Sequence, residues 1–136
     1  MAEQLTGRTI FITGSGGVLG ATYVRRMLAE MKAETFAARA IALACAVSID
    51  LAKATGDAAH QARAAFLTPI AKAYGTDTGH RVAHLGVQVH GGMGFIEDTG
   101  AAQFARDVRI TQIYEGTNGI QAMDLVGRKM ADNGEA

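Results

Sequence analysis

The order of apolar and polar positions divides the chain into one short strand followed by helices. Residues 8 to 13, RTIFIT, are rich in β-branched and aromatic side chains, the composition of a buried strand. Gly14, Gly16, Gly17 and Gly20 punctuate the chain after it. From 18 to 54 nothing breaks a helix: alanine is frequent, and neither proline nor any glycine beyond Gly20 occurs. Val24, Leu28, Met31 and Thr35 fall on one stripe of that helix, with Arg25, Arg26 and Lys32 elsewhere around it. Residues 40 to 52 are apolar on nearly every side, as in a segment buried by several neighbours or by another subunit.

The segment ATGD, 54 to 57, stops this helix, and Asp57 is placed to cap the next. A second helical region is expected from 58 to 90, kinked or restarted at Pro69 and weakened by Gly75 and Gly79. The loop HGGMGFIEDTG follows. A third helix starts near Ala101 and runs through AAQFARDVRI. After the break YEGTNG a last helix, IQAMDLVGRKM, leads into a polar tail that is expected to fray.

Composition narrows the partners. The 136 residues suit one domain. Basic and acidic residues balance at thirteen each, so no footprint for nucleic acid or an anionic membrane surface is expected. The single cysteine, Cys45, sits in an apolar run and reads as a small buried side chain, leaving no disulfide or thiolate metal site. No signal peptide is visible, and the longest apolar stretch, 40 to 52, is interrupted by Ser48 and Asp50 and falls short of a membrane span. A soluble cytoplasmic protein is the expectation.

The segment TGSGGVLG places Gly14, Gly17 and Gly20 at a TGxxGxxG spacing and resembles the first turn of extended short-chain dehydrogenases and reductases. Such glycines let a backbone approach a pyrophosphate at a helix N-terminus. The context for a nicotinamide site is missing. Glu34 lies twenty residues beyond Gly14, but mid-helix, and no later segment has the composition of a second parallel strand. Tyr23, Tyr74 and Tyr114 are followed four residues on by Met27, Thr78 and Asn118, never by the lysine of a reductase. The loop reads as a vestigial or fused β-α unit.

From Val24 onward the chain resembles the C-terminal helical domain of acyl-CoA dehydrogenases, nearest the branch that includes 3-methylmercaptopropionyl-CoA dehydrogenase. Two motifs carry the resemblance: Q-x-x-G-G-x-G-F from Gln88, and R-D-x-R-x-x-x-I-Y-E-G-T from Arg106. It implies α,β-dehydrogenation of an acyl-CoA thioester, with FAD taking the hydride and a carboxylate taking the α-proton. Glu115 matches that base, and a glutamate suits the task if it is desolvated as substrate binds. Gln88, Gly91 and Gly92 match positions that hold the ADP half of FAD, usually on a neighbouring subunit. Thr117 and Asn118 match flavin-contacting positions, whereas Gly119 departs from the glutamine common in other branches. Arg106 and Asp107 are expected to form a structural ion pair. His90 is expected to line the cofactor groove. His80 and His84 are one helical turn apart, but Asp77 is poorly placed as a third ligand, so no metal site is expected.

The same resemblance implies what is missing: an N-terminal helical domain, a middle β-domain and the first helix of the bundle. The expected architecture is therefore mostly α, an incomplete up-down helical bundle preceded by one short β-α unit. The division falls at 1–22 and 23–136. Such a bundle exposes apolar surface, and a homo-oligomer without catalytic activity of its own is expected. The alternatives are a helical oligomerisation module and, behind it, a nicotinamide-dependent short-chain reductase.

Overall fold

A computed structural model describes residues 18–130, and all of its regular elements are helical. The expected strand at 8–13, Gly14, Gly17 and the tail lie outside the described residues. The first helix, α1, spans Val18–Thr55 and takes in Gly20 at its start. Gly56, with φ 70°, turns the chain. Asp57 then caps α2, Ala58–His90, by accepting a hydrogen bond from Ala59 N at 2.8 Å. Pro69 neither breaks nor restarts α2, which is continuous across it. The ring is buried, and its packing compensates the backbone hydrogen bond that proline cannot donate.

Helices α1 and α2 form an antiparallel hairpin. Cys45 Sγ meets Thr68 Oγ1 at 3.6 Å near the turn. Further along, the Arg81 guanidinium pairs with both Glu30 and Glu34. Glu34 is thus tied to α2 by a 3.0 Å ion pair. The core between the hairpin arms and α4 is small: Met27, Cys45, Ala64, Val89, Ala101 and Ala102 are its buried apolar members. Ser48 is buried with them and returns its hydroxyl to Ala44 O at 2.8 Å.

Beyond α2 the chain folds back over it in short pieces. A single turn, α3 (Gly92–Phe95), and a 3₁₀ turn, Glu97–Thr99, precede α4 (Ala101–Arg109). A 3₁₀ turn at Ile110–Gln112 and the YEGT segment lead to α5, Asn118–Asp124, which continues as a π-helical turn, Leu125–Lys129. Helices α4 and α5 both lean on α2. At Gly79 a β-carbon would lie 3.1 Å from Val108 Cγ2, so this glycine sets how closely α4 approaches. The expected weakness in α2 is a packing contact.

Candidate functional site

Two loops carry the residues singled out by the motifs, and α2 positions both. At its C-terminal end Gly91 has φ 60° and ψ −143°, a backbone that a side chain disfavours, and its N–H donates to Gln88 O at 3.1 Å. Gly92 faces open space, where a β-carbon would meet nothing. Gln88 is exposed, and its side chain makes no hydrogen bond among the described residues. Gly94 is different. A β-carbon there would stand 2.2 Å from Val87 O, so only glycine lets the α3 turn lie against the end of α2.

The rest of this loop is tied internally. Thr99 Oγ1 donates to Met93 O at 2.9 Å. Arg106 makes a forked pair with Glu97, at 2.8 and 2.6 Å, and also donates to Gln103. The expected Arg106–Asp107 pair is not formed. Neighbours in a helix point to different sides, and Asp107 instead accepts from Gln103 Nε2 at 2.6 Å. The hydrogen bonds and charge of Arg106 hold the Glu97 carboxyl below the usual carboxylate range, and raise Arg106 in turn.

The second loop stands against the middle of α2. Glu115 is exposed and has φ 54°, alone among the described non-glycine residues in the left-handed region. Gly116 follows at φ 83°. Lys72 Nζ donates to Gly116 O at 2.7 Å and to Asn118 Oδ1 at 2.8 Å. Asn118 Nδ2 donates to Asp77 Oδ1 at 2.6 Å and to Thr76 Oγ1 at 3.0 Å. Gln112 Nε2 donates to the same Asp77 oxygen at 2.6 Å. Gln121 Nε2 reaches back to Glu115 O at 3.2 Å. Thr117 caps α5 by accepting from Ile120 N at 3.4 Å.

These positions form two groups, not one. Glu115, Thr117 and Asn118 gather beside Lys72 to Asp77, and Gln88, Gly91 and Gly92 stand at the far end of α2. Lys72 and Gln88 are sixteen residues apart, roughly 24 Å along a helix axis. The side chain of Asn118 is committed to α2, which leaves its backbone for any cofactor contact. Lys72, Thr76, Gln112 and Gln121 were not singled out from sequence. The one signal was Lys72 itself, a lone cation in the apolar run FLTPIAKAYG that wants a partner.

An apolar groove of about 460 Å³ opens between α1, α2 and α4, lined by Met31, Val82, Gly86, His90, Phe104 and Val108 among others. His90 lies on it, its Nδ1 within 2.7 Å of Gly86 O. The rings of His80 and His84 meet at a tilt of 53°, 4.2 Å between centroids, and no group of three metal-ligating side chains occurs among the described residues. Burial, with the nearby His84 and Arg109, pushes His80 below its ordinary value, against a smaller opposing pull from Asp77. Despite the interruptions at Ser48 and Asp50, the helix Gly20–Thr55 is long and apolar enough to cross a membrane by length and composition alone, contrary to the expected shortfall.

Residues 14–130 match the acyl-CoA dehydrogenase C-terminal domain. A 3-methylmercaptopropionyl-CoA dehydrogenase from Ruegeria pomeroyi is 53% identical over 114 residues, which is 82% of this chain and 19% of that protein. A butyryl-CoA dehydrogenase from Syntrophomonas wolfei is 40% identical over 78% of the chain and 18% of its own length. A short-chain specific acyl-CoA dehydrogenase from Megasphaera elsdenii is 40% identical over 71% of the chain. The chain thus spans about a fifth of the length of these relatives. The match begins at Gly14 and takes in Gly17 and Gly20, and nothing in these comparisons supports a short-chain-reductase origin for that loop.

Proposed function

Because the chain belongs to the acyl-CoA dehydrogenase C-terminal domain family, we propose that it serves α,β-dehydrogenation of an acyl-CoA thioester as one part of a larger flavoprotein assembly. Glu115 is the base. Its carboxylate takes the α-proton as the Cα–H electron pair forms the double bond. FAD, when bound, supplies the acceptor for the β-hydride. The observation that carries the assignment is the backbone at Glu115: a strained, exposed carboxylate held by its neighbours at a break between helices.

The residues present suit FAD in part. Gly92 offers an open backbone, and Gln88 a free amide that can donate and accept. Thr117 keeps a hydroxyl proton for a flavin, while Asn118 contributes through its backbone. The distance along α2 supports assigning the two groups to two different cofactors, each completed by a second subunit. The chain alone is inactive on this reading, since thioester and flavin also need walls that these helices do not provide. The setting is soluble and cytoplasmic: Met27, Cys45 and Ser48 pack one face of α1 against protein, and its apolar half still carries Arg39 and Asp50.

The test is a visible absorption spectrum of protein incubated with FAD and desalted. A retained flavin band supports the cofactor site, and acyl-CoA bleaching that band in wild type but not in Glu115→Gln supports the base while overturning the inactivity of the chain alone. A colourless protein favours the second reading, a helical oligomerisation module, for which the exposed Phe36, Leu43 and Val47 on α1 speak.

A further inference from the structure

Glu115 keeps a left-handed backbone although it carries a β-carbon. Such a conformation persists only where the surroundings over-determine it. The seven-residue strap 112–118 is fastened to α2 at both ends, through Gln112 and Asn118, which share one oxygen of Asp77. Glu115 stands midway between these two anchors. Lys72 closes the strap between them, and both of its hydrogen-bond acceptors, Gly116 O and Asn118 Oδ1, belong to it. Among the described residues Lys72 has no carboxylate within ion-pair distance. Its half-buried ammonium is thus used to hold backbone and amide oxygens, at 2.7 and 2.8 Å, rather than to neutralise an acid. On the other side Gln121 takes the Glu115 carbonyl, so two successive carbonyls are pinned from opposite elements.

We infer that Lys72, acting through Gly116 and Asn118, is the positioning residue for Glu115, an inference that rests on Glu115 being the base. Lys72 sits 43 positions before Glu115 in the chain and on a different element, so the orientation of the carboxylate depends on how α2 and the strap are docked. Arginine can supply the same charge-assisted donors. Methionine matches the length of the side chain and supplies none.

The test uses isotopically labelled full chain without cofactor. The carbon shifts of Glu115 report its left-handed backbone, and exchange of the Ile113 and Tyr114 amides, which donate to Ile110 O, reports the strap. Wild type is expected to show the left-handed signature and protection at these two amides. Lys72→Met should lose the signature and exchange at least tenfold faster at 113 and 114, with the amides of 38–45 in α1 unchanged. Lys72→Arg should recover most of the protection. An unaltered Glu115 signature in Lys72→Met overturns the inference, as does a loss that Lys72→Arg shares in full. Should Lys72→Met unfold α1 as well, Asn118→Ala, which removes the same latch from the other side, gives the deciding comparison. An intact, Lys72-dependent strap in an assembly whose bound flavin acyl-CoA still bleaches after Glu115→Gln supports the positioning role while counting against Glu115 as a base.

Discussion

A β-carbon at φ 54° costs about 1–2 kcal/mol of backbone strain. Replacing Glu115 by glycine should therefore leave the chain as stable or up to about 1 kcal/mol more stable, while Glu115→Val should destabilise it by about as much. Urea melts of the two variants measure this, and a destabilised Glu115→Gly would contradict it. A residue that lowers stability where it stands is one kept for another purpose. His80 gives a second prediction. Its folded form resists protonation, whereas the unfolded chain takes up the proton near the ordinary 6.5. Its contribution is thus fully present above that value and is lost as pH falls through the lowered folded value. Thermal midpoints should drop between pH 7.5 and 5.5, and His80→Gln should flatten that slope. Neither feature was legible in sequence. The glycines around Glu115 announce a break, but the sign of one dihedral depends on partners more than forty residues away.

The helices themselves were largely legible. The proline-free, alanine-rich run from 18 and the stop at ATGD gave α1 and its end, and Asp57 caps α2 as its chemistry requires. Those signals are local, and local hydrogen bonds decide them. Pro69 is the counter-example, since the helix runs on through a buried proline whose local preference is to restart it. Arg106 erred in the same way: the neighbour in sequence, Asp107, lost to Glu97, which the intervening turns bring back over α4. The turn after α2 shows the converse, a local motif whose reason is tertiary. Gly94→Ala should cost about 1–3 kcal/mol, because the added carbon meets backbone that cannot step aside. Gly92→Ala, two residues earlier and facing open space, should stay within about 0.5 kcal/mol. Equal effects in the two would mean that the α3 turn is not packed as described.

At the scale of the molecule the apolar surface outweighs the core. No side chain among the described residues is fully enclosed, whereas Phe36 is 75% exposed, Leu43 61% and Val47 55%. The sequence pattern at 40–52 carried this message, although not which neighbour would answer it. Such a face favours self-association. Sedimentation should give a mass above that of one chain, and Leu43→Glu with Val47→Glu should move it towards monomer while leaving helix content unchanged. A monomeric wild type would count against the oligomer and against sites shared between subunits.

The roughly 24 Å along α2 from Lys72, under the strap, to Gln88, beside the glycine pair, has a genetic consequence. Where one chain lends Glu115 and another lends Gly91 and Gly92 to the same cofactor, two differently defective alleles can rescue each other. Chains carrying Glu115→Gln, mixed and reassembled with chains carrying a bulky residue at Gly91, would regenerate some sites with both halves intact. Function would then be inherited by the pairing of chains rather than by any single one.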